Sequence, residues 1–545
     1  MISLRAFPPL RLPLPPKALA LIALAFVLPG LAGHELWKSH DAIGLGIVYD
    51  MAKSGELVVP RVGGWLWLND PPLYHWVALA FGSALQYVIE FASGARLASG
   101  AFMLLAFWLA YRAGRDWVIT QDRAASGSAA MLLVLGSVGL IVHAHEAVPE
   151  LATLAALCGA FAALAGAHTY PLAAGLAFGV ALGAGAASSN WAAPAALYLA
   201  AVAGYFVHAP SRTRRALLFM VVAIVVAVPL GVAWPVALFR RAPEAFALWW
   251  NLNVAPQPSI WATLRYFVNT IGWFAWPALP LAAWTLWSLR RRWREPQLFV
   301  PALTVLIMFP ALAVWGQEQD VTLLPLLAPL AILGAQGVPS LRRGAAAALD
   351  WFGLITFAFF GGLVWLGYVA MMTGLPPKIA NNFARMAPGF VPEFNPFLFL
   401  VALALTAIWL YLMFFTKYSP TRSVARWASG IVLLWGTFAT LWMPWADHQK
   451  GYRSVALQLR SKIPVGTTCI AQKGLGVPQG AALDYYGDIQ PRAFNFGKPQ
   501  ECPLLLVQGN AQHEFDAPGA GWTKLADVGR PGDKNERFRL YRFGK

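Results

Sequence analysis

Leu217-Leu-Phe-Met-Val-Val-Ala-Ile-Val-Val-Ala-Val-Pro-Leu-Gly-Val-Ala-Trp-Pro-Val-Ala-Leu238 is an apolar run without a single charge. A helix needs about 20 apolar residues to cross a bilayer core, so this stretch predicts a transmembrane span. Arg212, Arg214 and Arg215 precede it, and Arg240 and Arg241 follow it. Ala18 to Gly33 and Phe352 to Met372 repeat the pattern. The first of these lacks a small-residue cleavage site and reads as a retained first span rather than a signal peptide. Over 545 residues, 58% are hydrophobic and 12% charged, against roughly 25% charged in an average soluble domain. Most of the chain therefore belongs in lipid.

The net charge is +16, but the cations sit in short clusters between apolar runs rather than on one soluble face. That distribution excludes a nucleic-acid surface and reads as topology. The clusters are Arg5, Arg11 and Lys17; Arg112, Arg115 and Arg123; Arg212, Arg214 and Arg215; Arg290, Arg291, Arg292 and Arg294; Arg342 and Arg343; and Lys417, Arg422 and Arg426. Placing all six in the cytoplasm predicts about 13 spans. These begin near residues 18, 96, 128, 151, 172, 191, 215, 264, 297, 320, 347, 397 and 426. The chain then divides into a cytoplasmic arm (1–17), a membrane domain (18–446) with a first periplasmic loop (37–95), and a periplasmic soluble domain (447–545). Pro71 to Ala92 cannot also span without exporting the Arg112 cluster, so it reads as an interfacial or partly re-entrant helix.

The tail predicts a small α/β unit: helical spacing over Tyr452 to Ile463, and strands over Thr468 to Ala471, Leu504 to Val507 and Phe538 to Phe543. Cys469 and Cys502 are the only cysteines in this exported part and predict a disulfide. Cys158 lies in an apolar span and predicts inert packing. There is no internal repeat, and ionisable residues gather at the outer boundary instead of mid-span, which argues against a transporter.

The exported loops carry the candidate chemistry. Asp41, beside His40, reads either as a solvated carboxylate at a helix N-terminus or as a general base over a membrane-facing cavity. His143, His145, Glu146 and Glu150 form the densest ionisable cluster near a boundary; they read as a solvated turn, a hydrogen-bonded acceptor site or a divalent-metal site. Trp249, Trp250, Asn251 and Asn253 could hold sugar rings or form an interfacial belt. Arg240, Arg241, Lys378 and Arg385 could grip a phosphate or anchor to headgroups.

The first loop also carries a resemblance. Asp41-Ala-Ile-Gly-Leu-Gly-Ile-Val-Tyr-Asp-Met-Ala-Lys-Ser-Gly-Glu-Leu-Val-Val-Pro-Arg61, followed by Asn69-Asp70-Pro71-Pro72-Leu73-Tyr74-His75-Trp76, resembles the first periplasmic loop of bacterial GT-C membrane glycosyltransferases, relatives of protein O-mannosyltransferases and of the aminoarabinose transferase that modifies lipid A. Met51, Ser54, Gly55, Glu56, Pro60, Pro71, Pro72, Leu73, Tyr74 and Trp76 match, as do Trp250 to Val254, the Leu-Leu-Pro-Leu run at Pro325, and Leu483-Asp484-Tyr485-Tyr486. The chain departs from the pattern at His40, where the family has an acid, and at Asp70, where it has a Lys. The Arg after Asn-x-Asn-Val is absent, and a Ser-Lys-x-x-x-Tyr element is replaced by Gln317, Glu318, Gln319, Asp320 and Thr322.

The resemblance implies a polytopic α-helical inner-membrane enzyme of GT-C type with a small α/β periplasmic domain. It implies transfer of a sugar from a polyprenyl-phosphate carrier to a lipid, glycan or protein acceptor at the periplasmic face. As the lipid phosphate leaves, the anomeric carbon gains oxocarbenium character, so the site needs a carboxylate for the acceptor and cations or a divalent metal for the phosphate. Asp41 is the expected base or acceptor contact, with Glu150, Glu146 and His143 next. Arg61, Arg240 and Arg241 are the expected phosphate ligands. His40, Asp70, Tyr74, Trp250, Asn251 and Asn253 are the remaining expected substrate contacts. The altered motifs also fit a relative that only binds polyprenyl phosphate or assists envelope glycan assembly.

Overall fold

A computed structural model describes residues 12–119, 121–419, 421–493, 502–510, 514 and 518–544. Most of the predicted N-terminal arm, with Arg5 and Arg11, lies outside the described residues. Helices begin at or near each expected span, from Pro16–Val27 and Phe91–Asp116 through Arg422–Leu441. Among the described residues, seven helices are long and apolar enough to cross a membrane by themselves. Shorter apolar helices such as Arg123–Leu135, Glu150–Leu164, Pro171–Ala186 and Ala192–Val207 fill the positions between them. The span expected from residue 264 is made of two helices, Ile260–Phe274 and Ala278–Ser288. This is a multi-pass membrane protein.

The quoted run lies in Arg214–Arg241, whose apolar side chains mostly remain exposed, as a lipid-facing helix requires. Its inner edge packs on Pro171–Ala186 through glycines spaced four apart. A Cβ at Gly175, Gly179 or Gly183 would approach Phe219 O, Ala223 O or Leu230 Cβ to 2.8, 2.5 and 2.6 Å. Small residues at that spacing let two backbones meet where lipid supplies no hydrophobic drive for association. The stretch expected to be interfacial forms the helix Leu73–Leu85, 13 residues long, the same length as Arg123–Leu135.

The first loop also contains a two-strand hairpin, β1 (Arg61–Val62) and β2 (Trp65–Leu66). The tail is a five-stranded mixed sheet of β3 (Ile470–Lys473), β4 (Arg492–Ala493), β5 (Leu504–Gly509), β6 (Trp522–Val528) and β7 (Arg537–Phe543), ordered β4-β3-β5-β7-β6. β3 pairs in parallel with β4 and β5, and β7 runs antiparallel to β5 and β6. Cys469 and Cys502 are bonded, while Cys158 is free and buried in the bundle. Helices Arg453–Lys462 and Val477–Gly487 join this sheet to the first loop. Leu36 N–H donates to the Tyr486 hydroxyl at 3.0 Å, Trp37 Nε1–H to Asp447 at 2.7 Å, and Lys53 pairs with Asp484 at 3.4 Å. The soluble domain is thus seated on the loop that shapes the site.

Candidate active site

Ser39 caps helix His40–Ser54, its hydroxyl accepting from the Asp41 N–H at 3.3 Å. His40 and Asp41 consequently occupy the same first turn but serve different surroundings. Asp41 is buried against the fully buried Arg96, with Nη2–Oδ2 at 2.6 Å and Nε–Oδ1 at 3.0 Å, and it also accepts from the Ala147 N–H at 2.9 Å. The rest of the Arg96 guanidinium donates to the carbonyls of His34 and Glu35 at 2.9 and 3.1 Å. An acid expected to be a base is therefore committed on both oxygens to holding the first span, the fourth-span loop and the Phe91–Asp116 helix together.

His40 instead lines a small cavity with polar side chains in its walls. Gly44, one turn along, brings the helix against the loop opposite: a Cβ there would sit 1.8 Å from the Ala147 carbonyl oxygen. Asn69 and Asp70 enter from the segment after the hairpin, Glu150 from the first turn of Glu150–Leu164, Asn190 from just before Ala192–Val207, and Asn253 from the last turn of Pro243–Asn253. Trp67 and Trp315 supply ring surface. Burial pushes the Asp70 carboxyl up to about 6, against a hydrogen bond from Trp67, and Glu150 is near enough to repel it. No Lys or Arg lies among the described residues lining this cavity. Two carboxylates without a fixed counter-charge favour a cation or a carbon developing positive charge.

A larger apolar groove of about 790 Å³ adjoins this cavity and shares Ser189, Asn190 and Asn253 with it. Its walls include Ile224, Val228 and Val232 of the quoted run, together with Trp249 and Trp250. Behind His40 lies a second cluster. His143 has Glu146 on Nδ1 at 2.7 Å and Asp320 on Nε2 at 3.2 Å, Ser39 bonds Glu146, and the His40 and His143 rings stand 6.2 Å apart edge to face.

Of the other expected residues, Asn253 is a brace at the junction, its amide donating to Leu68 O at 2.8 Å and Trp249 O at 3.1 Å. Trp250 lines the groove, and Asn251 faces outward beside it. Tyr74 is displaced from substrate: it is buried, with its hydroxyl on Ser99 at 2.6 Å. Arg61 is exposed on the hairpin near Asp50, Arg240 is exposed, and Arg241 pairs with Glu56 at 3.3 Å. None of these three cations lines the cavity or the groove. A divalent metal on His143, His145 and Glu146 does not fit, because each His143 nitrogen already has a carboxylate and His145 is buried, stacked on Trp435 at 4.3 Å. Among the described residues no three His, Cys, Asp or Glu converge as metal ligands.

Arg96 and Asp320 were not among the expected site residues. Arg96 had a signal, a lone cation within an apolar stretch, where an ionisable group demands a partner.

No protein-family profile matches the sequence. The undecaprenyl phosphate-alpha-4-amino-4-deoxy-L-arabinose arabinosyl transferase of Serratia proteamaculans is 24% identical over 395 residues, 68% of this chain and 67% of that protein. A second such transferase, from Sodalis glossinidius, is 26% identical over 334 residues, 58% of each chain. Among solved structures, ArnT from Cupriavidus metallidurans bound to undecaprenyl phosphate superposes with a TM-score of 0.65 at 19% identity, covering 96% of this chain and 97% of that one. Its apo state gives 0.66 at 18% identity, covering 96% of each. This chain shares its overall fold with ArnT and is similar in sequence over about two thirds of its length to the Serratia proteamaculans transferase.

Proposed function

We propose that this chain is a glycosyltransferase that moves a sugar from a polyprenyl-phosphate carrier to a membrane lipid, glycan or protein acceptor at the periplasmic face. The observation that carries this reading is the apolar groove running into a carboxylate-bearing polar cavity through Asn190 and Asn253. A polyprenyl tail fits the groove, its phosphate comes to the junction, and the sugar enters the cavity between Trp67 and Trp315. Asp70 and Glu150 then lie where the anomeric carbon becomes positive as the phosphate departs.

The same pair favours a donor that brings its own cation, an amino sugar of the kind named for the two relatives. The Cys469–Cys502 bond and the basic clusters at the other end of the bundle support a periplasmic placement of the soluble domain. That no Lys or Arg among the described residues lines the cavity or the groove to hold the phosphate favours a second reading, a relative that binds the carrier without transferring sugar.

Purified protein incubated with polyprenyl-phosphate sugars, with and without an amine, and with membrane lipid extract separates the two by mass spectrometry of the products. Sugar transfer, preferentially from the amino donor and lost in Glu150→Gln, is the expected result. Carrier binding with no transfer from any donor would leave the second reading standing.

A further inference from the structure

We propose that His40 is the general base that accepts the proton of the acceptor hydroxyl. This rests on the transferase reading, and it follows from which ionisable groups at the cavity have a free pair of electrons and a way to stabilise a gained proton.

Asp41 is excluded by saturation, since both of its oxygens are held by Arg96 and the Ala147 N–H. His143 is excluded because each ring nitrogen has a carboxylate at hydrogen-bond distance, so the ring carries a proton on both. Asp70 and Glu150 face one another across the donor position, where they serve the positive charge of the sugar. Two lining imidazoles remain, His40 and His75, neither hydrogen-bonded through its ring by a described side chain; His75 is 2% exposed within helix Leu73–Leu85, whereas His40 is half-buried and open to an incoming acceptor. Burial, the largest influence, keeps the imidazole below its ordinary pKa, with the pull of Glu146 against it, His143 reinforcing it and Asp320 opposing it. Neutral imidazole is the basic form near pH 7.

The step balances without a co-reactant. The acceptor O–H proton moves to an imidazole nitrogen of His40 while the acceptor oxygen bonds to the anomeric carbon. The bond from that carbon to the phosphate oxygen breaks, and its electron pair leaves on the polyprenyl phosphate. The new imidazolium is flanked from behind by Glu146 and Asp320, whose charge His143 only partly offsets, and shares the cavity lining with Asp70 and Glu150. Ser39, bonded to Glu146, fixes the helix start that aims the ring.

The test measures transfer by the full-length purified protein, wild type against His40→Gln and His40→Asp, with undecaprenyl-phosphate binding and the pH profile of kcat/KM measured in parallel. His40→Gln is expected to lose ~100-fold or more in kcat, the scale of a lost general base, with donor KM and undecaprenyl-phosphate binding unchanged. His40→Asp is expected to restore transfer with the acid limb of the profile moved to lower pH, which a packing role would not produce. Transfer by His40→Gln within a few-fold of wild type, or an acid limb unmoved in His40→Asp, would overturn the assignment while leaving the transferase reading intact. Absence of transfer by wild type would overturn the transferase reading and this assignment with it.

Discussion

Asp41 and His40 are adjacent in one helical turn, yet the two regions they enter are built on opposite principles. Around Asp41 the hydrogen-bonding groups are matched: Arg96 donates to its carboxylate and to two carbonyls, and Ala147 N–H completes the set. Around His40 the cavity keeps two carboxylates with no lining cation among the described residues, and a His75 Nδ1 that has no hydrogen-bond partner. A saturated polar cluster fixes shape, and an unsaturated one awaits a ligand. The sharpest break of this contrast is Arg96→Met, which strands a buried carboxylate. Removing one partner of such a pair costs about 3–5 kcal/mol, so thermal unfolding of the purified variant should show the largest loss of stability, with activity falling only because the fold fails. Glu150→Gln should do the reverse: kcat falls ~100-fold or more, the scale of a lost electrostatic stabiliser, while the melting temperature holds or rises. Equal loss of stability in both variants would erase the distinction.

What could be read in advance follows the same division. The spans were legible because hydropathy and Arg clusters are local signals, and the run at Leu217–Leu238 carries both. β5 and β7 were legible from their apolar content, whereas β6 was not: its Trp522–Val528 side chains are mostly half-buried or exposed, as an edge strand allows, with no apolar alternation. In the site, Glu150, His40, Asp70 and Asn253 were on the expected list, and all four line the cavity. The role given to Asp41 was not legible, because its fate depends on a residue 55 positions away. Asp320 reaches His143 across 177 positions, a contact that no local pattern encodes. Read as a departure from a motif, Asp320 gave no hint that it closes a carboxylate–imidazole–carboxylate chain.

The contrast can be sharpened by titration. The Asp70 carboxyl stands raised from 3.8 to about 6 by burial, so the folded protein holds a proton there that the unfolded chain has released. Its favourable contribution is complete below about pH 4 and is lost as pH rises through about 6. Asp70→Asn removes that proton linkage. Melting temperatures compared at pH 4 and pH 7 should show wild type losing ground to the variant as pH rises. Parallel curves would mean that Asp70 is not strained by its surroundings, and the cavity would be less primed for a cation than the geometry indicates.

The smallest effect belongs to the contact joining the soluble domain to the first loop. Lys53, 39% exposed, pairs with the exposed Asp488 and, at 3.4 Å, with the buried Asp484, whose other oxygen keeps a hydrogen bond from Gln490 when the lysine is removed. Exposed pairs contribute about 0.2–1 kcal/mol and weaken with salt, so Lys53→Met should lower the melting temperature slightly at low ionic strength and less at high. The domain is held more firmly by buried contacts, Tyr486 on Leu36 and Asp447 on Trp37. A large loss in Lys53→Met would mean that the ion pair, and not this buried seam, keeps the loop bearing His40 and Asp70 in place.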